Sequence, residues 1–371
     1  MTFYIGLDVH HTTSTYCVLD AQGRTLGIHT LKERWPKLIE ALKQLSGKGP
    51  LVVAYEASLG YGTLYDELVK FCKRVVVAHP GQLRLIFKAK RKNDRIDAKK
   101  IATLLFMDQL PQVHVPNLDI RAWRELIEVR NKTVCKRTVV KNGLRAVLRA
   151  YAIAPPARIG LWTSKGMAWL AAITLPTSQA TLRRDLLIDE LALLEKQVRH
   201  ITRELDRMAR EHPGVTLLQT IPGIGPRTAE AFIAYVDDPQ RFANARRIGA
   251  YVGLVPCQDR SASVNRLGHI TKQGPATLRQ LLVEAAWRSV RHDPSLGRMF
   301  ETITAGRKDR RKIAVVAVAH KLARIMLVML KTGCTYDPPA PRPLSHAGQV
   351  QESNTNTRPA NGSSAKEKRA A

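Results

Sequence analysis

Tyr4-Ile5-Gly6-Leu7-Asp8-Val9-His10-His11-Thr12 sets the reading of this chain. Ile5, Leu7 and Val9 alternate with Gly6 and Asp8, so the run reads as a buried strand that carries one carboxylate to its end. The polar turn from His10 to Thr13 follows. An acid in such a run is costly to bury unless it is paired or bound to a cation. Taken alone, Asp8 reads equally well as a strand-end aspartate facing solvent. Whether later carboxylates can join it decides between the two.

Working outward, Phe3–Val9, Ser14–Leu19 and Thr25–Leu31 are strand candidates, and the Asp20-Ala21-Gln22-Gly23 turn joins the second and third as a hairpin. A helix over 35–45 stops at Gly47-Lys48-Gly49-Pro50. Leu51-Val52-Val53-Ala54-Tyr55 is the apolar run expected of a central strand covered on both faces, with Glu56 at its end. A helix over 60–72, a strand over 74–78 and a helix over 92–107 complete an α/β layer with a mixed sheet.

Asp8 and Glu56 thus end two strands that can lie side by side. Asp94 and Asp97 are spaced i and i+3, which on a helix puts both carboxylates on one face. Packed across the sheet, that face would bring four acids together. Convergent acids in so basic a protein point to divalent cations, and an ion pair ~4 Å apart can clamp a scissile phosphate. The competing reading pairs Asp94 and Asp97 with Arg91, Arg95 or Lys99 as surface salt bridges.

The 371 residues carry a net charge of +28. That is extreme for a metabolic enzyme and points to a polyanionic partner, foremost nucleic acid. The apolar stretch over 313–330 is interrupted by His320, Lys321 and Arg324 and reads as an amphipathic helix; with no signal-peptide pattern at the N-terminus, the expectation is a cytoplasmic protein with no membrane partner. Five scattered cysteines without a CxxC pair read as free thiols.

Residues 119–151 read as a helix with nine cations (Arg121, Arg124, Arg130, Lys132, Lys136, Arg137, Lys141, Arg145 and Arg149) against Asp119, Glu125 and Glu128. This one-sided run is expected to contact phosphate, with Arg137, Lys141 and Arg145 among the contacts. Leu187, Leu191, Leu194, Val198, Ile201, Leu205 and Met208 step alternately by four and three, the seam of a coiled coil or a long antiparallel hairpin. Burial against the chain's own domain is the alternative. From His212-Pro213-Gly214 to about residue 330 the chain reads as wholly helical. After Tyr336 it lacks the apolar residues for a core and reads as a disordered tail.

Ile221-Pro222-Gly223-Ile224-Gly225 resembles the turn of a helix-hairpin-helix module. There Gly223 and Gly225 would let backbone approach a phosphate, with Arg227 just beyond. It also occurs as a packing hairpin. Ser261 and Ser263 lie in a basic segment with Arg260, Arg266 and Lys272, expected as a loop between helices. Chemistry alone assigns no catalytic role to either serine, because no activating triad is evident.

Together, Gly6-Leu7-Asp8-Val9-His10, Tyr55-Glu56-Ala57, Lys92-Asn93-Asp94-Arg95-Ile96-Asp97-Ala98, Ile221-Pro222-Gly223-Ile224-Gly225 and Gly253-Leu254-Val255-Pro256 through Arg266-Leu267-Gly268 resemble the DEDD insertion-sequence transposases, the group called insertion sequence one-hundred-and-ten. The likeness spans about residues 3–335. It implies an α/β plus all-α chain: a RuvC-like (RNase H-type) mixed-sheet domain over 1–110, a basic helical extension over 111–182, a coiled coil over 183–212 and a helical transposase domain with a helix-hairpin-helix over 213–335; the tail over 336–371 lies outside the likeness. It further implies that Asp8, Glu56, Asp94 and Asp97 bind Mg2+, as two ions, and that a C-terminal serine attacks DNA. Donor and target DNA, a structured noncoding guide RNA, and homodimers that pair into tetramers are the implied partners. Asn93 stands where members commonly carry Thr. The usual Ser-Ser-Gly-Gly run is here Arg260-Ser261-Ala262-Ser263; counting from Pro256 and Arg266 aligns Ser261 with the nucleophile, Ser263 remaining the alternative. The rival readings are a RuvC-type junction resolvase or nuclease that uses water, and a non-catalytic architectural DNA-binding protein.

Overall fold

A computed structural model describes residues 1–10, 12–32, 35–58, 60–86, 93–261 and 264–338. The chain opens with the strands β1 (Phe3–Val9), β2 (Ser14–Leu19) and β3 (Thr25–Leu31). Asp20 makes the β2–β3 turn by accepting the backbone N–H of Gln22 at 2.9 Å and of Arg24 at 2.8 Å. Then come α1 (Trp35–Ser46), β4 (Leu51–Glu56), α2 (Tyr61–Leu68), β5 (Arg74–Ala78), α3 (Pro80–Ile86) and α4 (Asp94–Phe106). The five strands form one sheet in the order β3-β2-β1-β4-β5. β1–β2 and β2–β3 are antiparallel, whereas β1–β4 and β4–β5 are parallel. This mixed sheet is consistent with the RuvC-like fold, and the first three strands lie where the sequence pattern places them. Residues 111–113 run along the outer edge of β5, with Val113 N–H donating to the Val77 carbonyl at 2.8 Å.

The two faces of β1 do different work. Ile5 and Leu7 share a core with Leu38 and Leu42 of α1 and with Leu64 and Leu68 of α2. Gly6 points the other way, toward α4, as the alternation of a strand requires. A Cβ at Gly6 would lie 2.3 Å from the Ala98 carbonyl oxygen and 2.3 Å from the Ala102 backbone nitrogen. The helix backbone therefore rests directly on the strand. Ala98, Ile101, Ala102 and Leu105 form the buried stripe of α4, with the small alanines where the approach is tightest. Asn93 caps α4 by accepting the Arg95 N–H at 3.0 Å.

Two long helices follow, α5 (Leu118–Ala150) and α7 (Ser178–Glu211), flanking the short α6 (Ser164–Ala172). They pack against each other as an antiparallel hairpin. Leu144 and Leu148 meet Leu191 and Leu194 toward one end, and Trp123 and Ile127 share a core with Leu205 and Ala209 toward the other. The seam read from the sequence is thus buried against α5 of the same chain, as the antiparallel-hairpin and own-domain alternatives had it.

The C-terminal region contains α8 (Pro213–Leu218), α9 (Pro226–Val236), α10 (Arg247–Val252), β6 (Pro256–Ser261), β7 (Val264–Ile270), α11 (Ala276–His292), α12 (Pro294–Thr304) and α13 (Arg311–Thr332). The expectation of a wholly helical region is corrected here, because β6 and β7 pair antiparallel from Pro256↔Ile270 to Ser261↔Val264. Ser261 accordingly ends a strand; it does not lie in a loop between helices. By length and composition α13 is apolar enough to cross a membrane, yet Val318, Ala319, Leu322, Ala323, Met326 and Leu327 are fully buried among the surrounding helices. Most of the tail reading, residues 339–371, lies outside the described residues.

Gly6→Val should destabilise the α/β unit by about 3 kcal/mol or more, because overpacking here meets helix backbone and no movable side chain. Urea unfolding checks this, and a variant as stable as the parent would show that α4 does not need the close approach.

Candidate active site

The sheet's parallel half aims two acids at one edge. The β1–β4 register runs to Leu7↔Tyr55, so Asp8 and Glu56 each stand one residue beyond that last pair. Both fall on the α4 side: Asp8 alternates with Gly6, and Glu56 alternates with Ala54, which packs with Ile101 and Leu105 of α4. Because α4 lies on Gly6, its first turn comes to the end of β1, and that turn carries Asp94 and Asp97.

Ligand atoms of Asp8, His10 and Asp94 lie within 4.8 Å of one another. His10 Nε2 is 3.5 Å from Asp8 Oδ1. Two carboxylates and an imidazole that close form a donor set suited to a divalent cation, richer in oxygen than a structural zinc site. Asp97 lies one turn into α4 with Lys100 Nζ 3.7 Å from its Oδ1. Glu56 is exposed at its strand end. Three of the four sequence-derived acids thus sit at β1 and the start of α4, and Glu56 ends the neighbouring strand. His10 is the member that sequence reasoning missed. It lies one alternation past Asp8, in the turn, where the reading saw only polarity.

The candidate nucleic-acid contacts are placed more diversely. Gly223 has φ 93°, and a Cβ there would lie 2.6 Å from the Ser289 backbone nitrogen, so this glycine serves close packing on α11. Gly225 precedes α9 with open space around its Cα. Arg227 turns inward, pairing with Asp206 of α7 and placing Nη1 3.2 Å from Glu230 Oε1. Lys141 pairs with Glu195 at 3.1 Å and lies 4.9 Å from the Trp162 ring centre; Arg145 lies 5.1 Å from the same ring. Elsewhere on α5, Arg121 holds Asp66, Arg124 donates to the Ala234 carbonyl at 2.6 Å, and Arg130 donates to Thr202 Oγ1 at 2.9 Å. Lys132, Lys136, Arg145 and Arg149 are exposed, and Arg137 is half-buried. Much of the basic run therefore ties the helix to its neighbours. Lys272 is exposed on the loop after β7. Ser263 and the side chains of Arg260, Ser261 and Arg266 lie outside the described residues.

Comparison with known proteins follows the same division of the chain. Residues 215–301 match the model described as the transposase IS116/IS110/IS902 family, and residues 5–153 match a DEDD transposase model of the IS110 type. A probable family 20 transposase of Pseudomonas aeruginosa is 30% identical over 252 residues, covering 67% of this chain and 74% of that one. The chain belongs to the IS116/IS110/IS902 family of transposases. The transposase for insertion sequence element IS1328 of Yersinia enterocolitica is 28% identical over 341 residues, 90% of this chain and 98% of its own. That for IS1111A of Coxiella burnetii is 26% identical over 345 residues, 90% of each. Membership makes this a DNA-cleaving recombinase, and a DEDD family implies divalent-metal use.

Inside this transposase, Glu230 is a further buried acid. It is 1% exposed on α9, and burial pushes its pKa up to about 8, although Arg227 and Arg130 oppose the shift. The ordinary value is 4.5, so the folded state holds a proton that the unfolded chain releases between those limits. Stability should accordingly fall as pH rises from about 4.5 to 8, with a slope of up to about 1.4 kcal/mol per unit from this group. Glu230→Gln should flatten that component, as read from urea midpoints across the range; an unchanged slope would show that Glu230 stays ionised beside Arg227.

Proposed function

We propose that the transposase cuts and rejoins DNA by Mg2+-dependent phosphoryl transfer at the end of β1, with a serine of the β6–β7 hairpin as nucleophile. The observation that carries this reading is the convergence of Asp8, His10 and Asp94 within 4.8 Å in a chain of net charge +28. Two carboxylates and an imidazole held this close offer the donors that a divalent cation takes. Asp8, Asp94, Asp97 and Glu56 would hold two Mg2+ ions, and His10 adds a nitrogen donor that a purely oxygen-coordinated site lacks. Bound there, the ions would supply charge neutralisation on the phosphate and activation of the attacking group.

The chain's own residues divide the remaining tasks. Asp8 is fixed by strand pairing and Asp94 by the docking of α4, so the two can stay close without a flexible loop between them. The Ser261 hydroxyl, giving up its proton, attacks the scissile phosphate and breaks the phosphorus–oxygen bond to one DNA strand end. That end leaves as a free hydroxyl on taking up a proton, while the other end stays joined as a phosphoserine; Ser263 is the alternative nucleophile. The backbone of Ser261 forms the last pair of the hairpin, which supports a presented position. Gly225, Arg260, Arg266, Lys272 and the exposed cations of α5 contact donor and target DNA or a structured guide RNA. Residues 1–110 then act as the RuvC-like catalytic unit and 213–335 as the serine-bearing unit. Leu182, Leu186 and Leu193 on α7 and Val139 on α5 are more than half exposed, which supports association into dimers and tetramers.

Asp8→Asn should abolish strand cleavage while leaving DNA and RNA binding largely intact; full activity would sink the metal site. Denaturing gels of trapped reactions should show protein covalently joined to DNA in the parent and none in Ser261→Ala. A covalent species that survives that substitution transfers the role to Ser263, and cleavage without one in the parent favours a water-using nuclease.

A further inference from the structure

Beside the acid cluster, the outer face of α4 and the edge strand β3 enclose an open trough of about 510 Å3. That volume is within the range of sites that hold small organic groups. Its floor is apolar: Ile28 from β3, and Ile96 and Leu104 from α4. Ile96 is 44% exposed, so its apolar side chain is open to a ligand in the trough. Three cations line it: Arg95, Lys99 and Lys100. Arg95 and Lys99 are exposed and one turn apart, about 6 Å along the helix axis. Lys100 reaches to within 3.7 Å of Asp97, so the cationic wall runs without interruption into the acid set.

We propose that this trough seats an unpaired segment of the DNA strand that is being cut; the proposal rests on the assignment of the metal site above. Phosphates along the strand meet Arg95 and Lys99, and a base lies against Ile28, Ile96 and Leu104. A charged wall over an apolar floor suits single-stranded nucleic acid, whose bases can leave the stack and bury a face. A duplex offers its phosphates to the rim but no base face to the floor. Continuity with Asp97 selects the strand that passes through the catalytic site over a remote partner. The segment therefore enters along α4 and reaches the acids at the helix's first turn.

The test is fluorescence anisotropy with the full-length protein in EDTA, so that binding is read apart from metal chemistry. The probes are a short fluorescein-labelled oligothymidylate, a duplex of the same length and an oligouridylate. Ile96→Glu and Lys99→Glu both change exposed side chains and should leave the fold intact by circular dichroism. Each should weaken oligothymidylate binding by about tenfold; Ile96→Glu should leave duplex binding little changed, whereas Lys99→Glu weakens the duplex at the rim as well. Equal losses for single strand and duplex in Ile96→Glu, or no loss in either variant, overturn the proposal. Tighter binding of oligouridylate than of oligothymidylate, lost in the same variants, reassigns the trough to RNA and overturns the DNA assignment. Asp8→Asn separates the two readings. Normal oligothymidylate binding by Ile96→Glu with a cleavage-dead Asp8→Asn removes the trough and spares the metal site. Weakened binding by Ile96→Glu with an active Asp8→Asn removes the metal site and spares the trough.

Discussion

The contact between Gly6 and the backbone of Ala98 and Ala102 is the constraint on which the α/β half depends. A side chain at position 6 would lift α4 from the sheet, and with it Asp94 and Asp97. With glycine there, a rigid strand and a rigid helix meet at backbone distance, and the acids at their adjoining ends inherit that precision. Acids close together repel, so a flexible support would let them drift apart. Here the cost of holding them is met by the packing of Ala98, Ile101, Ala102 and Leu105 and by the strand ladder on both sides of β1.

The excess positive charge is handled differently in the rest of the molecule. A long helix with nine cations looks like a phosphate-binding stripe, yet Arg121, Arg124 and Arg130 face Asp66, carbonyl oxygens of α9 and Thr202. Arginine suits this because its planar fork can satisfy several acceptors while its stem packs against apolar neighbours. Lys132, Lys136, Arg145 and Arg149 remain exposed on the same helix. α5 thus joins the sheet unit to the C-terminal unit with one part of its surface and presents charge with another.

The sheet was legible because its strands obey simple rules: β-branched runs, alternation and a turn built on Asp20. Asp94 and Asp97 could be placed together in the first turn of α4 because i and i+3 on a helix leaves little freedom. The β6–β7 hairpin escaped because the sequence Pro256, Cys257, Gln258, Asp259 and Arg260 offers no alternating apolar pattern. Arg227 had its ion pairs hidden for a related reason. Its neighbours in sequence resemble a phosphate-binding turn, while its partner Asp206 is 21 positions away and visible only once α7 and α9 pack. Sequence periodicity reports which face of an element is buried, but it does not report which polar residue on that face meets another.

His10 shows how strand geometry can enlarge a site beyond its acids. Side chains at 6, 8 and 10 continue one face past the end of β1, so a residue in the turn still shares the direction of the strand. That places an imidazole 3.5 Å from Asp8, within reach of the same point in space as the carboxylates of Asp8 and Asp94. The turn after β1 therefore adds to the two carboxylates a donor that neither the strand ladder nor helix spacing predicts.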